Sequence, residues 1–169
     1  RFLTMPSTIL SGATWGLDAM PIEVEVDISP GLHIFHIVGL PDKAVEEARE
    51  RVGTALRNAG FEPPHRHARR VIVNLAPADI KKEGPAYDLP IALGFLLATR
   101  QLAFDPARKL FVGELALDGS VRSVNGVLPV AEMARRQGLE ELYVPAANAR
   151  EARLVSGLVI YPVSKLTEL

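Results

Sequence analysis

The residues best suited to chemistry lie in one loop between an apolar strand and an apolar helix. Asp79, Lys81, Lys82 and Glu83 bring carboxylates and amines close together, as acid–base chemistry requires. Covalent catalysis also needs a hydroxyl or thiol beside the base. The chain has no cysteine, and no serine lies near Lys81 or Lys82 in sequence. The loop therefore predicts no nucleophile–base pair from neighbouring residues, and only residues distant in sequence could supply one in space.

The histidines are the other candidates for chemistry, as metal ligands. His33 and His36 are three positions apart on a predicted strand, where side chains at this spacing point to opposite faces. His65 and His67 could face the same way, with Glu62 as the nearby carboxylate. Two close histidines in a basic loop are more often solvated than ligating, so we predict no metal site.

Cationic side chains are concentrated between residues 57 and 82, although the whole chain has a net charge of −1. Only Glu62 and Asp79 oppose them in this segment. The planar guanidinium of arginine suits phosphate, so the segment is either a solvated loop and strand edge or a surface that faces phosphates. The candidate DNA-binding residues are Arg66, Arg69, Arg70, Lys81 and Lys82.

Several classes of site have no signal in the sequence. The chain lacks the G-x-x-x-x-G-K-[ST] phosphate loop and the G-x-G-x-x-G turn, so no nucleotide site is recognisable in it. Without cysteine it forms neither disulfides nor zinc–thiolate sites. The apolar stretch at 91–97 is too short to span a membrane, and the opening residues lack the apolar core of a secretory signal. We therefore expect a cytoplasmic protein without a membrane partner.

The elements that must position these residues alternate between strands and helices. Apolar and charged residues alternate over 22–28, as in a strand with one buried face, and Asp118-Gly119 favours a tight hairpin. Strands are predicted at 8–15, 22–28, 32–38, 71–75, 110–117, 121–124, 142–144 and 159–161. Helices are predicted at 42–60, 88–100, 126–137 and 149–155, with N-caps at Asp42, Asp88, Asn125 and Asn148. The pattern predicts an α/β fold, a mixed β-sheet covered by helices.

The order of motifs resembles the N-terminal domain of the Mg-chelatase-like AAA+ ATPases, the ComM/YifB competence-protein family. The resemblance runs from Val24-Glu25-Val26-Asp27 to Asn125-Gly126-Val127-Leu128-Pro129. Its most specific part is the stretch NLAPADIKKEGPAYDLPIA, residues 74–92. The signature residues are Asn74, Pro77, Asp79, Lys82, Glu83, Gly84, Asp88 and Pro90.

A more distant resemblance is to the proteolytic domain of Lon, which uses a Ser-Lys dyad. It implies a fold shared with a ribosomal-protein superfamily, with a left-handed βαβ crossover. In Lon the serine follows a Lys-Asp-Gly-Pro-like loop, and here Ala86 stands at that position. The lysine follows a Gly-x-Leu step, where this chain has Pro129. Neither side chain can act as nucleophile or base, so the resemblance implies degenerate dyad positions and no catalytic residue in this segment.

The resemblance implies a non-catalytic N-terminal domain that supports ring assembly and contacts DNA. Its parent would be a hexameric AAA+ ATPase, a DNA branch-migration helicase of natural transformation and recombination. ATP and Mg²⁺ would then bind in a downstream AAA+ module, with no cofactor in this segment. A Lon-like peptidase with a rearranged site, a magnesium chelatase-type ATPase subunit and a pure assembly domain without DNA contact stay open as alternatives.

Domain organisation follows from the same comparison and from length. A chain of 169 residues suggests one domain with a full core, and we assign residues 6–169 to it. Residues 1–5 are expected to be a non-native remnant or a disordered start. Ser164 is predicted to cap a helix that the last residues only begin, so we expect the chain to be part of a longer protein.

Overall fold

The structure is a computed structural model, and it describes residues 5–169. These residues form nine β-strands and five α-helices. The strands are β1 (Ser7–Trp15), β2 (Asp18–Pro30), β3 (Ile34–Val38), β4 (Arg69–Ala76), β5 (Lys109–Phe111), β6 (Glu114–Leu115), β7 (Val121–Arg122), β8 (Glu141–Pro145) and β9 (Val159–Val163). The helices are α1 (Lys43–Glu46), α2 (Ala48–Asn58), α3 (Asp88–Ala98), α4 (Val127–Arg136) and α5 (Ala149–Ala152). Short 3₁₀ turns lie at Pro64–Arg66, Pro85–Tyr87, Ala146–Asn148 and Leu166–Glu168.

Seven of the strands form one mixed sheet, in the order β3-β4-β2-β1-β5-β8-β9. The β1–β2 and β2–β4 pairs are antiparallel, and the other four pairs are parallel. Strands β6 and β7 form a separate antiparallel pair. The predicted α/β fold with a mixed sheet covered by helices is confirmed. The handedness of the crossover between the parallel strands β3 and β4 stays a prediction from the resemblance.

Helices cover the sheet on both faces. Ile9 and Leu10 are consecutive on β1, and they belong to different apolar clusters because successive strand residues point to opposite faces. Helices α2 and α3 pack with Ile9 on one face, and α4 and α5 pack with Leu10 on the other. On β1, a Cβ at Gly12 would lie 3.0 Å from Met133 Cε and 3.2 Å from Val130, so α4 lies close against this strand.

The predicted helix at 42–60 is interrupted at Glu47. Asp42 does cap its start, since Val45 N–H donates to Asp42 Oδ1 at 2.8 Å. In a continuous helix the Ala44 carbonyl would accept a hydrogen bond from the N–H of residue 48. Here it accepts a 2.7 Å hydrogen bond from Arg51 Nη2. A side chain from the next turn therefore uses a carbonyl that the helix would need.

Of the other predicted caps, only Asn148 occupies the N-cap position, and it makes no capping hydrogen bond. Asp88 is the first residue of α3 and makes no cap hydrogen bond, and Gly126 rather than Asn125 precedes α4. Asn148 does precede α5, but its amide pairs with the backbone of Val124 at 2.9 Å in both directions. Lys165, not Ser164, precedes the last 3₁₀ turn. The three side chains Asp88, Asn148 and Asp42 have the same cap-forming chemistry, and tertiary contacts decided which of them cap.

The predicted strand at 110–117 is divided between two sheets. Gly113 lies between β5 and β6, where its N–H donates to Ala86 O and its carbonyl accepts from Leu89 N–H. A Cβ there would lie 2.9 Å from Val121 and 3.2 Å from Leu89, so the chain can leave the main sheet at this point only as glycine. The predicted Asp118-Gly119 hairpin is confirmed and joins β6 to β7. Of the expected start at 1–5, residues 1–4 lie outside the described residues, and Met5 is exposed.

Candidate functional site

A cleft of about 400 Å³ opens beside Ala86, and we call it the Ala86 cleft. Its walls come from the end of β1, from the loop at 81–87 and from the first turn of α4. Ala86 is held in place because its carbonyl accepts the Gly113 N–H at 2.9 Å. The cleft is therefore where a nucleophile would lie if the chain resembled Lon in activity as well as in fold.

The buried side chain of Lys82 holds the loop that carries the family signature. This side chain is 0% exposed, and Nζ donates to Gly39 O at 2.7 Å and to Pro77 O. The backbone of Lys82 joins Leu40 O at 3.0 Å and Asp42 N–H at 2.9 Å. Desolvation lowers the pKa of Lys82. Lys82 thus joins the loop after β3 to the loop after β4, and the prediction that it contacts DNA is wrong because solvent cannot reach it.

Asp42 and Gly84 hold the same loop against α1. One Asp42 oxygen caps α1, and the other accepts the Gly84 N–H at 3.1 Å. Gly84 has a φ of +80°, a conformation that glycine adopts without the strain of a side chain. The following 3₁₀ turn leads directly into α3, so the signature spacing from Gly84 to Asp88 fixes how α3 begins at the cleft.

Asp88 is buried behind the cleft and paired with Arg51. Arg51 Nε and Nη2 donate to the two carboxylate oxygens at 2.6 and 3.0 Å, and Leu115 N–H donates at 3.1 Å. Desolvation raises the pKa of Asp88 to about 6, against the opposing effects of Arg51 and the Leu115 amide. This pair connects α2, α3 and β6, so the signature aspartate has a tertiary role that its sequence position did not indicate.

The remaining signature residues support the loop or the sheet around it. Asn74 Nδ2 donates to Glu25 Oε1 across β4 and β2 at 2.8 Å, and Pro90 lies in the first turn of α3. Asp79 is exposed, and its charge raises the pKa of Lys82, against the larger lowering by desolvation. Exposed Glu83 lies 3.2 Å from Lys81 Nζ. None of these contacts needs a ligand.

The part of the cleft lining that comes from α4 is apolar. Val127 and Val130 of α4 line it, whereas Pro129 does not, because residues three apart on a helix share a face. Pro129 is thus not part of this lining, and its correspondence to the Lon lysine stays what the resemblance implies. Thr14 and Lys81 also line the cleft, but within residues 5–169 no hydrogen bond joins them.

The cleft is also lined by a phenol, the side chain of Tyr87. Burial together with the charges of Asp42 and Glu83 raises the pKa of this phenol above the usual tyrosine value. No serine lines this cleft. Among the described residues the cleft thus has a methyl group at Ala86 and two valines on α4, and its Thr14 hydroxyl and Lys81 amine are not bonded to each other as a Ser-Lys dyad would require.

The predicted DNA-binding residues do not form one patch. Arg66 and Arg70 are exposed near the start of β4, and Lys81 lies beyond its other end. A strand of this length spans about 23 Å at its usual rise per residue. Arg69 is half-buried, donates to Pro64 O at 3.1 Å and Pro63 O at 2.9 Å, and lies 4.9 Å from the centre of the Phe95 ring. Arg69 is thus part of the packing, and Arg66 and Arg70 are the accessible pair.

A second cavity, of about 450 Å³, lies between β3, α2 and the 3₁₀ turn before β4. We call it the Arg49 cavity, and its polar lining consists of His33, Arg49, Glu50, Thr54, His65 and Arg69. Sequence reasoning missed Arg49 and grouped His33 with His36 instead. No local signal in the sequence brings these residues together, because the cavity depends on the parallel pairing of β3 with β4.

The histidines do not assemble a metal centre in the described part of the chain. His67 Nε2 lies 3.2 Å from Glu62 Oε2, and no group of three or more His, Asp or Glu side chains in residues 5–169 has an arrangement that could hold a metal ion. No helix of these residues has the length and apolar character that crossing a membrane requires.

Fold and cleft together define an α/β domain of the Lon-like class. Residues 24–148 match the family model described as subunit ChlI of Mg-chelatase, and the chain belongs to this family. It is 44% identical over 162 residues to competence protein ComM of Haemophilus influenzae, which covers 95% of this chain and 31% of that protein. It is also 44% identical over 155 residues to the uncharacterized protein YifB of Escherichia coli, covering 89% of this chain and 29% of YifB.

The similarity extends to proteases of the Lon family. Lon protease 2 of Bacillus subtilis is 26% identical over 121 residues, covering 71% of this chain and 21% of the protease. These relatives agree with the resemblances read from the sequence. The chain spans less than a third of the length of the ComM and YifB relatives, so what those whole proteins do is a matter of proposal for this one.

Proposed function

We propose that this chain is the non-catalytic N-terminal assembly and DNA-contacting domain of a ComM-like AAA+ ATPase. The observation that carries the non-catalytic part is the lining of the Ala86 cleft, to which Ala86 contributes a methyl group and α4 contributes Val127 and Val130. The peptidase alternative needs a hydroxyl paired with an amine, and the accessible amine of this cleft, Lys81, is instead paired with Glu83 at 3.2 Å.

The rest of the proposal follows from similarity to ComM and YifB and from charge. The parent protein would form a cytoplasmic homohexamer and use ATP and Mg²⁺ in a separate AAA+ module for branch migration of DNA. The domain would contribute to ring assembly and offer exposed arginines to DNA phosphates. Arg70 makes no ion pair within residues 5–169, and Arg66 has only a long contact with Glu62 at 3.9 Å. Both guanidiniums are therefore available to an external anion.

Charge reversal of Arg66 and Arg70 in the full-length protein tests the DNA contact. We expect weaker DNA binding and a salt dependence reduced by about one unit of slope for each phosphate contact that is lost. Fluorescence anisotropy with a labelled oligonucleotide over a series of salt concentrations measures both. Arg69 is left unchanged, because its replacement would disturb the packing on Phe95.

The matched control reverses Arg135 and Arg153, two exposed arginines from α4 and the end of α5. It changes the net charge by the same amount at a different surface. If both double variants weaken DNA binding equally, only the total charge matters and the proposed surface is wrong. If neither does, this domain does not contact DNA and the pure assembly role remains.

A further inference from the structure

The Arg49 cavity contains two guanidiniums that form no ion pair with a carboxylate of the described residues. Within residues 5–169 neither Arg49 nor Arg69 has an ion pair, although Glu50 lines the same cavity. Each is instead oriented by backbone carbonyls. Arg49 Nε donates to Glu46 O at 3.1 Å and Nη1 to Phe35 O at 3.4 Å, and Arg69 is held by the carbonyls of residues 63 and 64.

This orientation leaves one nitrogen of each guanidinium without a partner. Nη2 of Arg49 and Nη1 of Arg69 make no hydrogen bond to any of the described residues. Desolvation lowers the pKa of Arg69, and the charge of Glu62 opposes this effect only in part. A partly desolvated cation without a contacting counter-ion is costly unless an anion supplies the missing interaction.

The rest of the lining has the chemistry of an oxyanion site. His33 and His65 add imidazole donors, and the Thr54 hydroxyl can donate as well. Arginine forks suit tetrahedral oxyanions because their N–H groups can contact two oxygens at once. A volume of about 450 Å³ admits a phosphate group together with part of the molecule that carries it.

We propose that the Arg49 cavity binds a phosphate group, through the free nitrogens of Arg49 and Arg69 with His33, His65 and Thr54 around them. A DNA strand and a free nucleotide carry the same group, and the experiment below distinguishes the two sources. The choice of DNA as the first source rests on the proposed function. The binding of phosphate itself does not.

Titration of the 169-residue chain with inorganic phosphate at constant ionic strength, followed by NMR, tests the site. We expect saturable shifts of the Gly53 and Thr54 amides and of the ring protons of His33 and His65. The Arg49→Glu variant should raise the phosphate Kd at least about tenfold, since it removes a charge-assisted donor and adds repulsion. Arg49→Gln removes the charge without inverting it and should have a smaller effect in the same direction.

The Arg135→Glu variant is the matched control, with the same change of charge on α4, away from the cavity. Its phosphate Kd should stay within about twofold of the unsubstituted chain, as expected for a screened distant charge. Absence of shifts at the cavity, or equal effects of Arg49→Glu and Arg135→Glu, would overturn the proposal. Both variants are exposed positions, and an unchanged amide spectrum away from the substitution shows that they fold.

Two further measurements identify the source of the phosphate, and they distinguish failure of the phosphate site from failure of the proposed DNA contact. A thymidine oligonucleotide should shift the cavity resonances at lower concentration than thymidine monophosphate if a DNA strand is the source, and the reverse order assigns the site to a free nucleotide. If Arg66 and Arg70 reversal weakens DNA binding of the full-length protein while phosphate leaves the cavity unshifted, the proposed function stands and this inference fails. If phosphate binds the cavity but DNA does not bind, the proposed function fails and the phosphate site stands.

Discussion

Arg49 and Arg51 are two residues apart on α2, yet their guanidiniums have opposite surroundings. Positions two apart on a helix point to nearly opposite sides. Arg51 reaches the first residue of α3, Asp88, and makes a bidentate pair with this carboxylate, which is 0% exposed. Arg49 lines the cavity on the other side, where only carbonyls orient it. One helix therefore presents a neutralised cation to the core and an unneutralised one to a cavity.

The two sides of the domain differ in the same way as these two arginines. Around the Ala86 cleft the cationic groups are used within the chain, Lys82 by carbonyls, Lys81 by Glu83 and Arg51 by Asp88. The Arg49 cavity keeps donors that the chain does not use. The comparison teaches that charge pairing, more than charge count, separates residues that hold this fold from residues available to a ligand.

Replacing Arg51 should have the largest effect. Arg51→Ala leaves the buried Asp88 carboxylate with only the Leu115 amide, and we expect a loss of about 3–5 kcal/mol in the free energy of unfolding. Arg49→Ala, on the same helix, should change it by about 0.5 kcal/mol or less, as at other exposed positions. Urea denaturation followed by circular dichroism measures both.

A paired substitution checks that the loss comes from an isolated charge. Arg51→Met with Asp88→Asn removes both charges and keeps an oxygen to accept from Leu115 N–H, so this double variant should lose much less than Arg51→Ala alone. Equal destabilisation by Arg51→Ala and Arg49→Ala would remove the distinction between the two sides of α2.

The pH dependence of stability should show an intermediate effect. The pKa of Asp88 is raised to about 6 in the folded chain, so between its unfolded value and about 6 the folded state binds more protons than the unfolded state. The contribution of Asp88 to the free energy of unfolding therefore rises as the pH falls from about 6 to about 4. The full shift corresponds to about 3 kcal/mol at most.

The comparison of the unsubstituted chain with Asp88→Asn isolates this group. Urea titrations across this pH range should show that the unsubstituted chain gains stability relative to Asp88→Asn as the solution is acidified. The opposite trend would mean that the ion pair with Arg51 outweighs desolvation and lowers the pKa of Asp88.

Sequence reasoning succeeded where the determining contacts are local and failed where they are not. The Asp42 cap and the Asp118-Gly119 hairpin were predicted because their partners lie within three residues. Asp88 has the same chemistry as Asp42, but its partner Arg51 is 37 residues away. The sheet could be predicted in class from alternating residues, whereas its strand order could not.

The site shows the same limit of local patterns. Lys82 was grouped with surface cations because its neighbours in sequence are charged, but its partners Gly39 and Pro77 are carbonyls that only the folded loops bring to it. The Arg49 cavity depends on the pairing of β3 with β4, which joins segments separated by a helix. Alanine at position 86 could be recognised without the structure, because the sequence alone shows that this residue has no hydroxyl or thiol.

Restoring a hydroxyl to the Ala86 cleft should have the smallest effect, namely none. An Ala86→Ser hydroxyl would lie in a cleft whose α4 lining is Val127 and Val130, and Lys81 would still be paired with Glu83 instead of being positioned as its base. We expect neither labelling by a serine-directed fluorophosphonate probe nor hydrolysis of casein, in the unsubstituted chain or in Ala86→Ser. Labelling of the unsubstituted chain would show that another hydroxyl is activated, and the domain would then be an enzyme.

The informative comparison adds Val130→Lys to Ala86→Ser, because Val130 is one of the two α4 residues on the cleft wall. An amine at this position is desolvated, which lowers its pKa and makes it a better base near neutral pH. Probe labelling that appears only in the double variant, with folding verified by a thermal melt, would show that the cleft retains the shape of a catalytic site and lacks its two functional groups. Labelling of Ala86→Ser alone would mean that the cleft already contains a base. The Ala86 cleft would then not be chemically inert, and its contrast with the Arg49 cavity would be wrong.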